Sequence, residues 1–302
     1  MAAAAAPHLA AHAHGKARVR VGRAWREESG VHHFREWSVS TMLESDMAHA
    51  FLTPSNAGMT ATDTQKHAVY HVAKRLPAAC GPEALALALA IHFLARYPLV
   101  SAAKIEVVEA PWARVAAHGG APHAHGFADA GGGERTAAVE LRRGADAPEV
   151  TAGVRGWRVL KTTQSGYAGF LHDDLTTLPD TAERIMATAV TATWRYAAPP
   201  PCYDAAHTAA RAALVSAFFG PPRGGVFSPS VQFTLFQMAA AVLAAVPAAE
   251  RVALRLPNLH FLPCAPPGDA FEDDVYVATS EPHGDIEAVV TRGAGAPARA
   301  RL

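Results

Sequence analysis

Short polar clusters at the predicted boundaries of helices and strands are the residues best suited to chemistry. Thr62 and Asp63 place a hydroxyl and a carboxylate just before a predicted helix, where free backbone N–H groups favour anionic ligands. Asn258 and His260 are two apart on a predicted strand, so an amide and an imidazole share one face. An ordinary helix N-cap is the simpler interpretation of Thr62 and Asp63 taken alone. Each cluster by itself identifies no reaction.

Histidine pairs suggest a metal site that the surrounding sequence does not complete. His123 and His125 could face the same side of a strand and hold a metal ion. No Cys or carboxylate cluster lies nearby, so a structural role is favoured for this pair and for His32-His33. The segment 131–134 lacks the Lys-Ser/Thr pair of a phosphate loop. The sequence also has no nucleophile elbow or dinucleotide-binding motif, which leaves cofactor-free chemistry or none.

The composition is that of a globular protein with small partners. The 302 residues carry 27 Lys+Arg and 27 Asp+Glu, and zero net charge argues against wrapping nucleic acid or lying on an anionic membrane. The length suggests about two domains. Three widely separated cysteines argue against a disulfide framework or a structural zinc site. The longest apolar stretches, 84–95 and 238–246, fall short of the roughly 18 to 20 residues that cross a bilayer, which predicts a soluble protein.

The elements that must position these clusters follow one order twice: strand pair, helices, strand pair. This pattern favours an α+β fold with antiparallel sheets and helices on one face. Strands are predicted at 17–25, 31–43, 104–110, 137–142, 156–163, 169–177, 251–262 and 274–279. Helices are predicted at 64–76, 83–97, 181–194, 204–218 and 228–246, with Asp63 capping the first and Ser228-Pro229 starting the last.

Taken together, the polar clusters make the sequence resemble one family, the cofactor-independent urate oxidases (uricases). The resemblance extends from Lys16 to Arg292. It is carried by several blocks in the same order, at 62–66, 123–127, 160–170, 228–232, 257–260 and 281–284. It implies two tandem tunnelling-fold (T-fold) domains, assembled as a homotetramer around a tunnel.

The resemblance also assigns roles to individual residues. It implies that Arg184 and Gln232 hold the edge of a flat purine, where a guanidinium fork and a carboxamide suit a carbonyl-rich heterocycle, and that the Val231 N–H adds a donor. The ring of Tyr167, where family members usually have Phe, would stack over the purine. The remaining implied site residues are Lys16, Thr62 and His260 for proton handling, Asn258 for dioxygen, and Asp63.

The implied reaction is oxidation of urate by O2 to 5-hydroxyisourate and hydrogen peroxide, with no metal and no organic cofactor. Thr62 and Asp63 would come from a neighbouring subunit, so an isolated subunit should be inactive. Two alternatives stay open: a zinc-dependent pterin- or purine-binding T-fold enzyme, and a catalytically inactive urate-binding protein. The first would need a Cys/His metal set that the sequence lacks, and intact Lys16, Thr62 and His260 argue against the second.

The predicted organisation is a disordered Ala/His-rich tail at 1–15, T-fold domains at 16–147 and 148–295, and a C-terminal tail at 296–302. The first segment has no basic start and no apolar stretch, which argues against a signal peptide. Ala300-Arg301-Leu302 fits a variant of the Ser-Lys-Leu peroxisomal address. We therefore expect a peroxisomal enzyme, or a cytoplasmic one if the source is bacterial.

Overall fold

The computed structural model describes residues 7–293, which divide into two compact units between Ala152 and Gly153. The first unit contains β1 (His14–Arg26), β2 (His32–Ser45), α1 (His49–Leu52), α2 (Thr62–Arg75), α3 (Pro82–Arg96), β3 (Val100–Glu109), β4 (Trp112–Ala117), β5 (Ala121–Asp129) and β6 (Glu134–Arg142). The division falls inside β7 (Glu149–Lys161), and the second unit also contains β8 (Met186–Tyr196), α4 (Tyr203–Phe219), α5 (Val231–Ala245), β9 (Ala249–Pro263), β10 (Tyr276–Thr279) and β11 (Asp285–Thr291).

The first unit is an antiparallel sheet with helices packed on it. Its strands run in the order β1-β2-β3-β6, and α2 contacts β1 while α3 contacts β3 and β6. Alternate residues of β2 form a buried row, as expected when one face of a strand meets the core. The members of that row are Trp37, Val39, Thr41, Leu43 and Ser45.

The second unit repeats this architecture. β9 pairs antiparallel with β8 on one side and with β10 and β11 on the other. Alternate residues of β8, including Val190 and Trp194, are fully buried, α5 packs against β9 and β11, and α4 packs against α5. The α+β prediction, with antiparallel sheets and a duplicated layout, is confirmed.

Residues 181–194 were predicted to be helical, and this prediction is wrong. They contain most of β8, which begins at Met186. The alanines of this stretch suggested a helix, but Thr188, Thr191 and Thr193 are β-branched and suit a pleated strand. Arg184 therefore lies in a loop before β8 rather than on a helix.

Smaller corrections concern where elements start and end. No strand forms at 169–177, which is a loop. Asp63 is in the first turn of α2 rather than at its N-cap, which is Ala61. α5 begins at Val231, and its cap is Ser230, whose hydroxyl accepts a hydrogen bond from the Phe233 N–H. β1 begins at His14, so the last two residues of the predicted tail at 1–15 belong to a strand. The β4–β5 hairpin and β11 were not predicted.

Candidate active site

Lys16 lies beside a β-bulge between β1 and β2. It pairs with Thr41, whereas the next regular pair is Val19 with Val39, so two residues of β1 oppose a single residue of β2. One of them, Arg18, has a left-handed φ of 54°, a conformation that costs a non-glycine residue about 1 kcal/mol or more. Bulges re-aim neighbouring side chains, and half-buried Lys16 lies directly beside this one.

Thr62 and Asp63 form the start of α2, in the same unit as Lys16. Thr62 is half-buried and Asp63 is exposed. The Asp63 carboxylate accepts a hydrogen bond from the Lys66 ammonium and lies 3.3 Å from His67 Nε2. The bond from Lys66, together with the positive charges of Lys66, His67 and Lys16, lowers the pKa of the Asp63 carboxyl. The start of α2 thus carries an acidic and a basic side chain that bond to each other.

In the second unit, Tyr167 and Arg184 lie together. The Arg184 guanidinium carbon is 5.3 Å from the centroid of the Tyr167 ring, within the range of a cation–π contact. Phe170 stacks on Tyr167 with centroids 4.7 Å apart and planes 10° from parallel. Burial lowers the pKa of Arg184. Its Nε is buried without a hydrogen-bond partner among residues 7–293, which leaves a donor available for a ligand.

Backbone hydrogen bonds tie Arg184 to the start of α5. The Arg184 N–H donates to the Ser165 carbonyl at 2.8 Å. Ser165 in turn forms a bridge with Ser228, just before α5. Val231 is buried and Gln232 exposed in the first turn of that helix, whose N–H groups have no partner within the helix. Donors from the loop and from the helix are therefore held in a fixed relation.

Lys161 anchors the segment that leads into α5. Its ammonium donates to the Val226 carbonyl at 2.8 Å and to Ser228 Oγ at 2.7 Å, and Thr234 Oγ1 donates to the same Ser228 oxygen at 2.7 Å. Burial lowers the pKa of Lys161. Sequence reasoning gave Lys161 no role. The only sequence feature that could have pointed to Lys161 is its position inside the block 160–170 that resembles the family.

Asn258 and His260 lie on β9 as predicted, two residues apart and both half-buried. Asn258 pairs with Thr188 of β8, and its N–H donates to the Gly284 carbonyl at 2.8 Å. The Thr188 hydroxyl is buried and has no hydrogen-bond partner in the described part of the chain. This end of β9 therefore presents an amide and an imidazole from a well-anchored strand.

The predicted site residues thus form two groups. Lys16, Thr62 and Asp63 belong to the first unit, and the second unit carries Tyr167, Arg184, Val231, Gln232, Asn258 and His260. Sequence reasoning missed Thr41 and Gln65, which are buried beneath the first group. Nothing in the sequence near Thr41 distinguishes it from a core residue.

The histidine pair does not form a metal centre in the described structure. The rings of His123 and His125 are perpendicular at 4.5 Å, and His123 Nδ1 accepts a hydrogen bond from the His125 N–H. Within residues 7–293, no three His, Cys, Asp or Glu side chains are arranged to hold a metal ion. The helices of the same region are all too short or too polar to span a bilayer.

Comparisons with known proteins agree across sequence and structure. A family model described as Uricase matches residues 12–140 and 150–287. The chain is 43% identical over 292 residues to Uricase-2 isozyme 1 of Glycine max, covering 92% of this chain and 94% of that protein. It is 42% identical over 294 residues to the Uricase of Arabidopsis thaliana, with the same coverage.

The solved structure of Uricase from Arthrobacter globiformis is also similar, with a TM-score of 0.86, 31% identity, and coverage of 99% of this chain and 98% of that chain. The fold is accordingly a pair of T-fold domains. Neither the zinc-enzyme alternative nor the inactive-binder alternative receives support from these relatives. On sequence and on structure, the chain belongs to the uricase family.

Proposed function

We propose that the protein oxidises urate with O2, consuming one water and yielding 5-hydroxyisourate and hydrogen peroxide. The observation that carries the proposal is the pairing of half-buried Arg184, whose buried Nε has no hydrogen-bond partner among residues 7–293, with the Tyr167 ring 5.3 Å away. A donor fork beside an aromatic face suits a flat anion rich in carbonyl groups. Family membership supports urate as that anion.

In this proposal the second unit binds the substrate. Arg184 donates to one edge of the purine, and the Gln232 carboxamide both donates and accepts. The Val231 N–H, in the first turn of α5, adds a donor at the positive end of a helix, which favours an anion. Tyr167 stacks on the rings.

Lys16, Thr62 and His260 move protons. A threonine hydroxyl is a poor base, so Thr62 needs Lys16 to accept its proton, with the His260 imidazole as relay. Asn258 holds dioxygen and then the water that replaces it. Doubly deprotonated urate transfers an electron to O2, and the two radicals combine at C5 and take back a proton from the relay to give a hydroperoxide. Loss of peroxide followed by attack of water at C5 gives the product. The protein deprotonates, orients and excludes solvent, and the proposal includes no metal or organic cofactor.

The proposal includes a homotetramer whose sites are shared between subunits. Thr62 and Asp63 come from a neighbouring copy. Within one chain, Thr41 Oγ1 bonds both to the Lys16 N–H and to Gln65 of α2, which supports assigning Lys16 to that same copy. A site then combines the first-unit group of one copy with the second-unit group of another.

Peroxisomal location is a further part of the proposal. It rests on Ala300-Arg301-Leu302, which lie outside the described residues. Moving a fluorescent tag from the N-terminus to the C-terminus should abolish import, and import with a blocked C-terminus contradicts the address.

The activity is tested by incubating purified, chelator-treated protein with urate in air. Urate consumption, followed by its absorbance, and peroxide formation should occur in equal molar amounts. A requirement for added metal, or no turnover, contradicts the proposal.

A further inference from the structure

We propose that Thr41 and Gln65 are positioning residues that hold Lys16 and the start of α2 in the relation needed for proton transfer. The inference rests on the proposed function, because it concerns the same proton-handling group. It assigns a role to two residues that touch neither substrate nor oxygen in the proposed reaction.

The contact is a buried hydrogen bond between β2 and α2. Thr41 Oγ1 donates to Gln65 Oε1 at 2.7 Å, and the two residues are 3% and 0% exposed. Gln65 is three residues beyond Thr62 and so lies on the adjoining turn of α2. The bond therefore joins the helix that carries Thr62 to the middle of the sheet.

The same hydroxyl also contacts the backbone of Lys16. The Lys16 N–H donates to Thr41 Oγ1 at 3.2 Å, at the last regular pair before the bulge. Gln65 Nε2 reaches the Thr60 carbonyl at 3.5 Å, and His14 Nε2 lies 2.8 Å from that carbonyl. The Thr41–Gln65 pair thus connects the backbone at Lys16 with both the helix and the loop that precedes it.

A packing role alone would not require these residue types. Thr41 belongs to a row of β2 whose other members include Trp37, Val39 and Leu43, where valine would fill nearly the same volume. Burying a hydroxyl and a carboxamide costs free energy unless they bond to each other. Their bond is directional, whereas apolar packing is not, and direction is what a proton relay needs.

The test compares Thr41→Val and Gln65→Met with Thr41→Ser, which keeps the hydroxyl. Ser45→Ala is the matched control, since Ser45 lies in the same buried row of β2. The measurements are kcat for urate oxidation, urate Kd without oxygen, and Tm. We expect Thr41→Val and Gln65→Met to lower kcat about 10-fold or more, since displacements of about 1 Å can cost about 100-fold. Urate Kd should stay close to that of the unmodified protein, and Thr41→Ser should retain activity.

The double variant Thr41→Val/Gln65→Met separates positioning from stability. Replacing both partners of a buried hydrogen bond by apolar groups is often nearly neutral for stability, so Tm should change little while kcat stays low. Unchanged kcat in the single variants, or equal losses in Thr41→Ser or Ser45→Ala, overturns the inference. If Gln65→Met fails to fold, the Thr41→Val and Thr41→Ser pair decides. Absence of turnover in the unmodified protein contradicts the proposed function instead.

Discussion

Among the proposed site residues, Arg184 has a buried side-chain donor without a hydrogen-bond partner in the described structure. The donor is Nε, and burial lowers the pKa of the guanidinium. Burying a cation in this way costs free energy, which a bound anion would offset. The backbone bond from the Arg184 N–H to the Ser165 carbonyl fixes the point from which the Arg184 side chain extends.

Replacing Arg184 by Ala should weaken urate binding more than it slows the chemical step. A hydrogen bond to a charged group contributes about 1.5 to 3 kcal/mol, which corresponds to a Kd roughly 10- to 150-fold higher. Anaerobic titration measures this Kd. Lys16→Ala is the contrasting variant and should lower kcat with little change in urate Kd. The opposite pattern would show that the two roles have been exchanged.

Tyr167 should tolerate loss of its hydroxyl but not of its ring. Aromatic pairs contribute about 0.5 to 1.5 kcal/mol beyond burial, so Tyr167→Leu should raise urate Kd by roughly 2- to 10-fold. Tyr167→Phe keeps the ring and its stacking on Phe170, and its Kd should stay near that of the unmodified protein. A large effect of Tyr167→Phe would assign a polar role to the hydroxyl.

Polar clusters near element boundaries drew attention to Thr62, Asp63, Asn258 and His260, whereas the other members of both groups, such as Lys16 and Arg184, were assigned only through the family resemblance. The supporting residues could not be found in this way. Thr41 and Gln65 are 24 positions apart, and only the packing of α2 against the sheet brings them together. Lys161 and Ser228 are 67 positions apart in sequence but bonded at 2.7 Å.

At the scale of elements, the close approach of β1 and β2 explains a glycine next to Lys16. A Cβ at Gly15 would lie 1.8 Å from the Thr41 carbonyl oxygen, far inside van der Waals contact. Any side chain at this position must separate the strands just before the bulge beside Lys16. Gly15 is therefore needed for the register that positions the lysine.

Gly15→Ala should lower both stability and turnover. Overpacking of this kind typically costs about 1 to 3 kcal/mol, measured as a lower Tm or denaturant midpoint, and the displaced Lys16 should lower kcat. Gly22→Ala on the same strand is the control, because its Cβ would meet only the Phe34 side chain at 3.2 Å. Equal effects of the two substitutions would show that the site does not depend on local strand separation.

Most elements were predictable because their hydrophobic period was clear. α4 differs from the predicted 204–218 helix by one residue at each end, and β9 contains the whole predicted 251–262 strand. The segment of β8 was predicted to be helical because its many alanines hide the alternation of buried and exposed residues that is typical of a strand. In the structure, antiparallel pairing with β9 makes this segment a strand. The predicted first residues of some helices differ from those in the structure, because several neighbouring Ser, Thr and Asp side chains could each serve as the N-cap.

For the whole molecule, the duplicated layout separates the proposed functions. The first unit carries the residues proposed to move protons, apart from His260, and the second carries those proposed to bind the purine. Duplication was visible in the order of strands and helices. Assembly was not, since contacts between copies depend on surfaces that periodicity does not describe.

Mixing two impaired variants, assayed at a urate concentration far below the raised Kd of Arg184→Ala, tests whether sites are shared between copies. Thr62→Ala damages only the first-unit group and Arg184→Ala only the second-unit group. In co-expressed assemblies, sites that combine the intact group of each chain should be active, about a quarter of all sites if equal amounts associate at random. Thr62→Ala co-expressed with Lys16→Ala is the control, because every first-unit group then carries a defect and no site is restored. Urate turnover of the purified mixtures is the measurement. If the first pair shows no more activity than the control pair, the site belongs to a single copy and the shared-site proposal is wrong.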